Sequence, residues 1–357
     1  SGSNLVPDGT TVYWTYQTVS GGGVGASLSA NSSVTAGGVA SVTLNTSTAA
    51  GDVFTVTAGN SGFGVSTTTP NITVVAGALD SYVVDIASPQ ENRVAFVGPS
   101  TVTAKDQFGN TITGYDGSGD TVTITSSAGA VVAGDVIPAA NFVNGVVDLA
   151  AEGTTFGGNY GGAAVVFTAT STDVPAATGD DTVTILPGVV DHFVVDISTP
   201  QVNGKAFSGT ATVTAEDVDD NLKTDFNASG NNVTISSSGG GTVYRGAATP
   251  AVLDQGGDFS NGVADLGALG INYVTGAGAA PETVTFTATS AGPVAVGTSG
   301  NVTVEASSKI ASIVVSAPGA AVDVSADVAA QVVDVEVYDS GSNLVPDGTT
   351  VYWTYQT

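Results

Sequence analysis

The chain ends as it begins. Residues 1 to 18, SGSNLVPDGTTVYWTYQT, return without a change at residues 340 to 357, and an identity of that length marks a tandem period. From Ser1 to Ser340 the step is 339 residues, so the sequence reads as one window on a longer, near-perfect array. Whatever these residues fold into must be able to follow itself along a chain. That favours a row of modules over one globule, and 357 residues suit three domains at roughly 100 to 150 residues each.

A second, weaker repeat lies inside the period. DSYVVDIASPQENRVAFVGPSTVTAKDQFGN from Asp80 and DHFVVDISTPQVNGKAFSGTATVTAEDVDDN from Asp191 align at a constant offset of 111, without a gap, through Gly129 and Gly240. The likeness resumes where NFVNGVVDL faces DFSNGVADL and VFTATS faces TFTATS. Insertions are thus confined to residues 130 to 140 and 242 to 257, which read as loops of variable length. The duplication defines one module over 77–187 and another over 188–306. Residues 1–76 form a more distant copy that lacks its opening strands, and residues 307–357 supply the opening strands of that same module type for the next repeat. With Asp339 set against Asp106, Asn343 falls on Asn110.

The local pattern is that of strands. In TTVYWTYQT, Val12, Trp14 and Tyr16 alternate with Tyr13, Thr15 and Gln17, the period-two signature of a strand with one buried face. Asp8-Gly9 before it signals a hairpin turn. TVYW at Thr11 corresponds to TVTI at Thr121 and NVTI at Asn232, which predicts equivalent core positions at Val12, Trp14, Val122, Ile124, Val233 and Ile235, with Trp353 equivalent to Trp14. Short runs of this kind, separated by turn residues that include many of the 48 glycines, predict an all-β protein of sandwich modules. Short linkers at 77–78 and 187–188 lead us to expect modules stacked end to end.

Composition excludes several function classes. Six basic residues, Arg93, Lys105, Lys205, Lys223, Arg245 and Lys309, stand against 32 acidic ones for a net charge of −26, too few and too scattered to neutralise a phosphate backbone. Nucleic acid is therefore not an expected partner, and the charge reads as a means of solubility and self-repulsion. The sequence has no run of 18 apolar residues, so no membrane span is expected. With no cysteine, disulfides and thiolate chemistry are ruled out together.

The pattern V-T-A-x-D-x-x-G-N-x-I/V, followed by a T-V-T-I/F strand and later by N-G-V, resembles the bacterial immunoglobulin-like (Big-type) domains strung together in invasin- and intimin-like adhesins and giant surface or filament proteins. VTAKDQFGNTITGY in the second module carries the likeness best, whereas the third has Asp219-Asp220 in place of Phe108-Gly109. The resemblance implies tandem immunoglobulin-like sandwiches of about seven strands, secreted and located outside the cell or at its surface.

Chemistry has few candidates. A hydrolase needs a nucleophile and a base, and the one histidine, His192, lies beside Asp191 in a strand where the second module has Ser81; it reads as structural. EDVDDN spaces Asp217, Asp219 and Asn221 as a calcium loop would, but Leu222 stands where the turn glycine belongs and Ala228 where the bidentate glutamate belongs. Asp217, Asp219, Asp220 and Asp225 remain weak metal candidates, with calcium the ion they would take; no other cofactor is expected. Lys105 beside Asp106 suggests an isopeptide cross-link, yet it becomes Glu216 in the third module and, on this alignment, Glu336 in the first. The sequence thus points to a non-enzymatic structural segment of an extracellular filament, fibre or stalk, whose partners are successive copies of itself in a head-to-tail array, with lateral fibre neighbours or a host or cell surface as further contacts. The alternative is a cell-surface adhesin for a receptor or glycan, with Tyr160, Tyr244 and Tyr273 as its exposed aromatic candidates.

Overall fold

A computed structural model describes residues 5–160, 162–174, 176–292, 294–317, 332–339 and 342–354. Of the two copies of the eighteen-residue repeat, residues 1–4, 340–341 and 355–357 lie outside the described residues. The chain divides into two compact units, Ser1–Leu186 and Pro187–Thr357. Both are built of strands, with short 3₁₀ turns as the helical elements among the described residues. None of these helices is long and apolar enough to cross a membrane.

In the first unit, the second module is a two-sheet sandwich. Ser100–Lys105 pairs with Ser81–Ile86 on one side and Val146–Asp148 on the other. The facing sheet runs Val136–Pro138, Thr121–Ser126, Val165–Ser171, Thr178–Val183. Burial alternates strictly along Ser100–Lys105 and Val165–Ser171, so one face of each sheet supplies the core. Val102, Ala104, Val122, Phe167 and Ala169 are wholly buried there and Ile124 nearly so. The 130–140 segment is not a plain loop. Ala130–Ala133 pairs with Thr155–Gly157, and Val136–Pro138 extends the second sheet.

The third module, in the second unit, repeats this plan. Val190–Ile197 pairs with Ala211–Asp217, and Val233–Ser237 with Phe286–Ser290. Val233 and Ile235 are buried as expected from their counterparts. A single parallel bridge from His192 to Val296 links the two ladders into one seven-stranded sheet. Here too the inserted segment, 242–257, forms strands, Thr242–Arg245 against Ile271–Val274 and Ala251–Leu253 against Val233–Ser237. Its Arg245 grips the buried Asp258 with two bonds of 2.6 and 2.8 Å. Two glycines fix how closely the strands approach. A Cβ on Gly179 would collide with the Tyr82 carbonyl oxygen, and one on Gly297 with that of Phe193, so both modules need glycine at these points.

Residues 5–76 carry a five-stranded sheet, Ser32–Val34, Thr11–Ser20, Val53–Asn60, Val65–Thr68, with Ile72–Thr73 beside Val53–Asn60, and a separate short pair, Ser27–Leu28 with Leu44–Asn45. Phe54 and Val56 are buried, but Val12 and Trp14 are only half-buried, which corrects their assignment to a closed core. The reason is structural: no second sheet equivalent to Ser81–Lys105 covers this face among the described residues of the unit. The Trp14 indole N–H instead donates to the Ser33 hydroxyl at 2.8 Å. Trp353 is 59 % exposed. Strands of the missing type occur at Ser312–Ala317 and Asp334–Tyr338, which pair with each other. Their register sets Tyr338 opposite Ser312, as Lys105 lies opposite Ser81. Tyr338 also bridges to Leu344 as Lys105 does to Thr111. The counterpart of Lys105 is therefore Tyr338, and not Glu336.

Truncation of a side chain in a closed core should cost far more than truncation on the open sheet. Ile235→Ala is expected to lose about 3 kcal/mol of unfolding free energy, measured by urea denaturation. A surface change such as Val189→Ala should stay within about 0.5 kcal/mol.

Candidate functional site

An aspartate and an asparagine four residues apart recur where each module begins. Asp106 sits at the end of Ser100–Lys105 and is 3 % exposed. Its Oδ1 accepts the N–H groups of Phe108 and Asn110, each at 2.9 Å, and its Oδ2 accepts that of the linker residue Gly77 at 2.9 Å. The Asn110 amide donates to both oxygens at 3.1 and 2.9 Å. Asn110 also reaches the preceding sheet module: Nδ2 donates to the Thr48 carbonyl at 2.9 Å and Oδ1 accepts the Ala50 N–H at 3.0 Å. The loop can close this way because its third residue after the aspartate is left-handed, a role Gly109 fills at φ 80°.

The same arrangement returns twice in the second unit. Asp217 is fully buried and accepts the N–H groups of Gly188 at 2.8 Å and of Asp219 and Asn221 at 3.0 Å. Asp339 accepts those of Ser307 and Asn343, both at 3.0 Å. Here again the asparagine reaches back into the module before it. Asn343 donates to Thr275 Oγ1 at 2.9 Å and accepts the Ala280 N–H at 2.7 Å. Asn203 adds a further strut, its side-chain Nδ2 donating to Asp339 Oδ2 at 2.7 Å while its Oδ1 accepts the Thr275 N–H at 2.9 Å. Asp220 and Ser342 take the left-handed position, at φ 61° and 59°. A carboxylate so enclosed is costly unless its lone pairs are met, and here backbone and amide donors meet them. Burial pushes the Asp106 carboxyl up, but the Asn110 amide and the N–H groups of Gly77, Asn110 and Phe108 outweigh it and hold it down at about 2.

A second buried carboxylate lies inside one core only. Asp120 accepts hydroxyl hydrogen bonds from Tyr115 at 2.8 Å and Ser171 at 2.6 Å, together with the N–H groups of Thr121 and Asp173. Tyr82 and Tyr115 share a 2.6 Å hydroxyl contact. Burial raises the Asp120 pKa, yet the Ser171 and Tyr115 hydroxyls and the two N–H donors bring it to about 2. Burial also pushes the Tyr82 hydroxyl up to about 12. In the third module the three positions have changed together, to Phe193, Phe226 and Asn231. The ring packing survives the change: Tyr115 and Phe142 lie 4.7 Å apart edge to face, as do Phe226 and Phe259.

The residues singled out from sequence lie as follows. Asp217 spends both oxygens on the junction and Asp225 pairs with Lys223 at 3.1 Å. The four candidate aspartates are not brought together as one set; Asp220 alone of them sits in a group of metal-ligating side chains, with His192 and Glu216. The Lys105 ammonium donates to Thr111 Oγ1 at 2.9 Å. Tyr160 and Tyr273 are buried, at 8 % and 1 % exposure, which corrects their reading as surface aromatics. The Tyr273 hydroxyl is engaged by Glu282 and the Gly241 N–H, both at 2.9 Å. Tyr244 is half-buried on the inserted strand. Sequence reasoning missed Asn110, Asn221 and Asn343 as functional residues, although their common spacing from an aspartate was the available signal.

No family model matches the chain, and no curated protein does. Among solved structures, several tandem β-domain proteins match at low identity. Domains 4–9 of the surface layer protein SbsC match with 19 % identity over 76 % of this chain and 38 % of that one, at a TM-score of 0.25. The chain thus spans well under half of that fragment. The EC3-6 fragment of protocadherin gammaB7 matches with 13 % identity over 88 % and 72 % of the two chains, at 0.27. The I67–I69 fragment of titin matches with 8 % identity over 85 % and 94 %, at 0.28. On its own strand pairings the fold is all-β, in tandem immunoglobulin-like sandwich modules.

Both Asp106 and Asp120 titrate below the ordinary carboxylate value of 3.8. Their contribution to stability is therefore complete above about pH 4 and is lost as the pH falls through about 2. Melting temperatures followed from pH 7 to pH 2 should drop across that window. Asp120→Asn should flatten the drop, at the expense of lower stability at neutral pH. Asn110→Ala should lower stability by about 1–2 kcal/mol, and should broaden the distance distribution between residues 5–76 and the second module in solution scattering.

Proposed function

We propose that the chain is a structural segment of a giant secreted tandem-repeat protein, whose immunoglobulin-like modules of the bacterial surface-protein type follow one another in an extracellular filament, fibre or stalk. The observation that carries this reading is the recurring aspartate–asparagine junction. Each occurrence ties linker backbone and loop to one buried carboxylate, and in two of them the asparagine is also bonded to the module before it. Such a joint limits bending between neighbours, which is what a load-bearing thread requires and a flexible string of binding domains does not. The tandem period supports the same reading, since an exact repeat gives a constant axial step.

The open sheet of residues 5–76 is then closed by the preceding period, whose strands Ser312–Ala317 and Asp334–Tyr338 lie across the half-buried Val12 and Trp14. The link is covalent. Separate subunits exchanging strands would set residues 340–357 of one against residues 1–18 of the next, two identical segments competing for a single strand position. The partners are successive copies in a head-to-tail relation that propagates without closing. We read the protein as non-catalytic. A groove of about 650 Å³ lined by Tyr13, Trp14, Thr15, Tyr16, Ser27, Leu28 and Asn31 offers no carboxylate, imidazole or amine. Burial of Tyr160 and Tyr273 removes two of the three aromatics on which an adhesin reading rested.

Denaturing electrophoresis of the native assembly tests the continuous chain. A very large species is expected, and a discrete band near 34.8 kDa would overturn it. Low-resolution imaging of the same material should show a thread with regular beads.

A further inference from the structure

At the base of the third module, the single histidine of the chain is flanked by three carboxylates. His192 and Glu216 are directly opposed across the pair of strands Val190–Ile197 and Ala211–Asp217, and the junction turn swings Asp220 over them in its left-handed conformation. His192 Nε2 lies 3.4 Å from Glu216 Oε2 and 3.5 Å from Asp220 Oδ1. These are long for N–H···O hydrogen bonds. They match the separation of neighbouring ligand atoms about a tetrahedral zinc ion, which bond lengths of 2.0–2.2 Å set at about 3.3–3.5 Å. The three ligand atoms all fall within 4.8 Å of one another. On the other side of the ring, Nδ1 faces Asp191 Oδ2 at 3.4 Å. At that distance the carboxylate acts by its charge, which favours a proton on Nδ1 and leaves the Nε2 lone pair facing the two acids, the side of the ring on which outer carboxylates stand in histidine ligands of metals.

The internal duplication supplies an independent observation. In the second module the corresponding residues are Ser81, Lys105 and Gly109; in the strands that open the next repeat they are Ser312, Tyr338 and Ser342. Neither trio offers a metal-binding set. All three positions have become ligands in the same module, while the surrounding strands and turn keep their form. A solvated acidic face accounts for one such change and gives no reason for a histidine at its centre.

We propose that His192, Glu216 and Asp220 form a binding site for a divalent transition-metal ion of the zinc class, with Asp191 as the orienting outer residue and one coordination position left to water. One nitrogen and two carboxylate oxygens suit zinc and its neighbours in the first transition row, whereas calcium takes six to eight oxygens at longer distances. A bound ion cross-links the first two strands of the module to the turn that carries Asp217 and Asn221, so it stiffens the base of the third module beside its junction.

The test is calorimetric titration of the whole 357-residue chain, first stripped with chelator, with zinc chloride at pH 7.5. One ion should bind per chain with micromolar affinity, and millimolar calcium should not displace it. Cobalt(II) added in place of zinc should give the intense visible bands of a four-coordinate ion. His192→Ala should weaken binding at least 100-fold and abolish those bands, while circular dichroism shows the strands intact, as expected for a side chain that is 30 % exposed. Glu216→Gln should weaken binding about tenfold, which guards against a folding defect peculiar to the first variant. The absence of saturable zinc binding, an affinity unchanged in His192→Ala, or equal competition by calcium would each overturn the proposal.

Discussion

A carboxylate removed from water is unstable unless something else satisfies its lone pairs, and at the start of each module the something else is main chain. Asp106, Asp217 and Asp339 draw in N–H groups from a linker and from their own turns. The energetic demand of the anion thereby becomes a geometric constraint on where one module ends and the next begins. An apolar contact at the same place would hold the modules together but leave their angle free, because hydrophobic burial is non-directional. Hydrogen bonds to a fixed carboxylate have preferred distances and directions. That directionality fixes the linker residues Gly77, Gly188 and Ser307 against the turns that carry the aspartates, and the sandwiches can vary in sequence without disturbing it.

Variation of this kind is visible in the two closed cores. Tyr82, Tyr115 and Asp120 surround a polar network, whereas Phe193 and Phe226 fill the same volume without hydroxyls and Asn231 replaces the acid. Loss of one partner alone would strand a buried polar group. Change of the whole set leaves each core internally consistent, with the same edge-to-face aromatic contacts. The fold is thus specified by alternation and volume, and the chemistry inside it is free to differ so long as it differs as a set.

Much of this architecture was legible because period-two alternation and a gapless offset of 111 residues are consequences of strand geometry. Val122, Ile124, Val233 and Ile235 fell where that geometry required. Trp14 did not, because burial of a strand face depends on a second sheet, and alternation along one strand carries no information about whether that sheet is present. The inserted segments were misread as loops for a related reason: an edge strand of three or four residues is too short to show a period. Tyr160 and Tyr273 were misread because an aromatic among glycines looks exposed, while glycines leave room for a ring to fold inward; a Cβ on Gly241 would lie 2.6 Å from the Tyr273 hydroxyl oxygen. The aspartates of the third module were visible as a spacing. Their partition between a junction anchor at Asp217 and a histidine neighbour at Asp220 depends on which way a turn swings, and spacing alone does not encode that.

The cores are built from valine, isoleucine, leucine, phenylalanine, alanine and a few tyrosines, and the chain holds neither cysteine nor methionine. No sulfur is therefore present to enter the ladder of sulfenic, sulfinic and sulfoxide products by which packed interiors are chemically aged. Such an interior gives peroxide no sulfur to attack, a resistance that no amount of thermodynamic stability would provide. What remains open to oxidants includes both indoles, that of Trp14, half-uncovered on its sheet, and that of Trp353, which is more exposed still. Closure of that sheet in the way proposed above would shield the Trp14 ring as well as complete the fold.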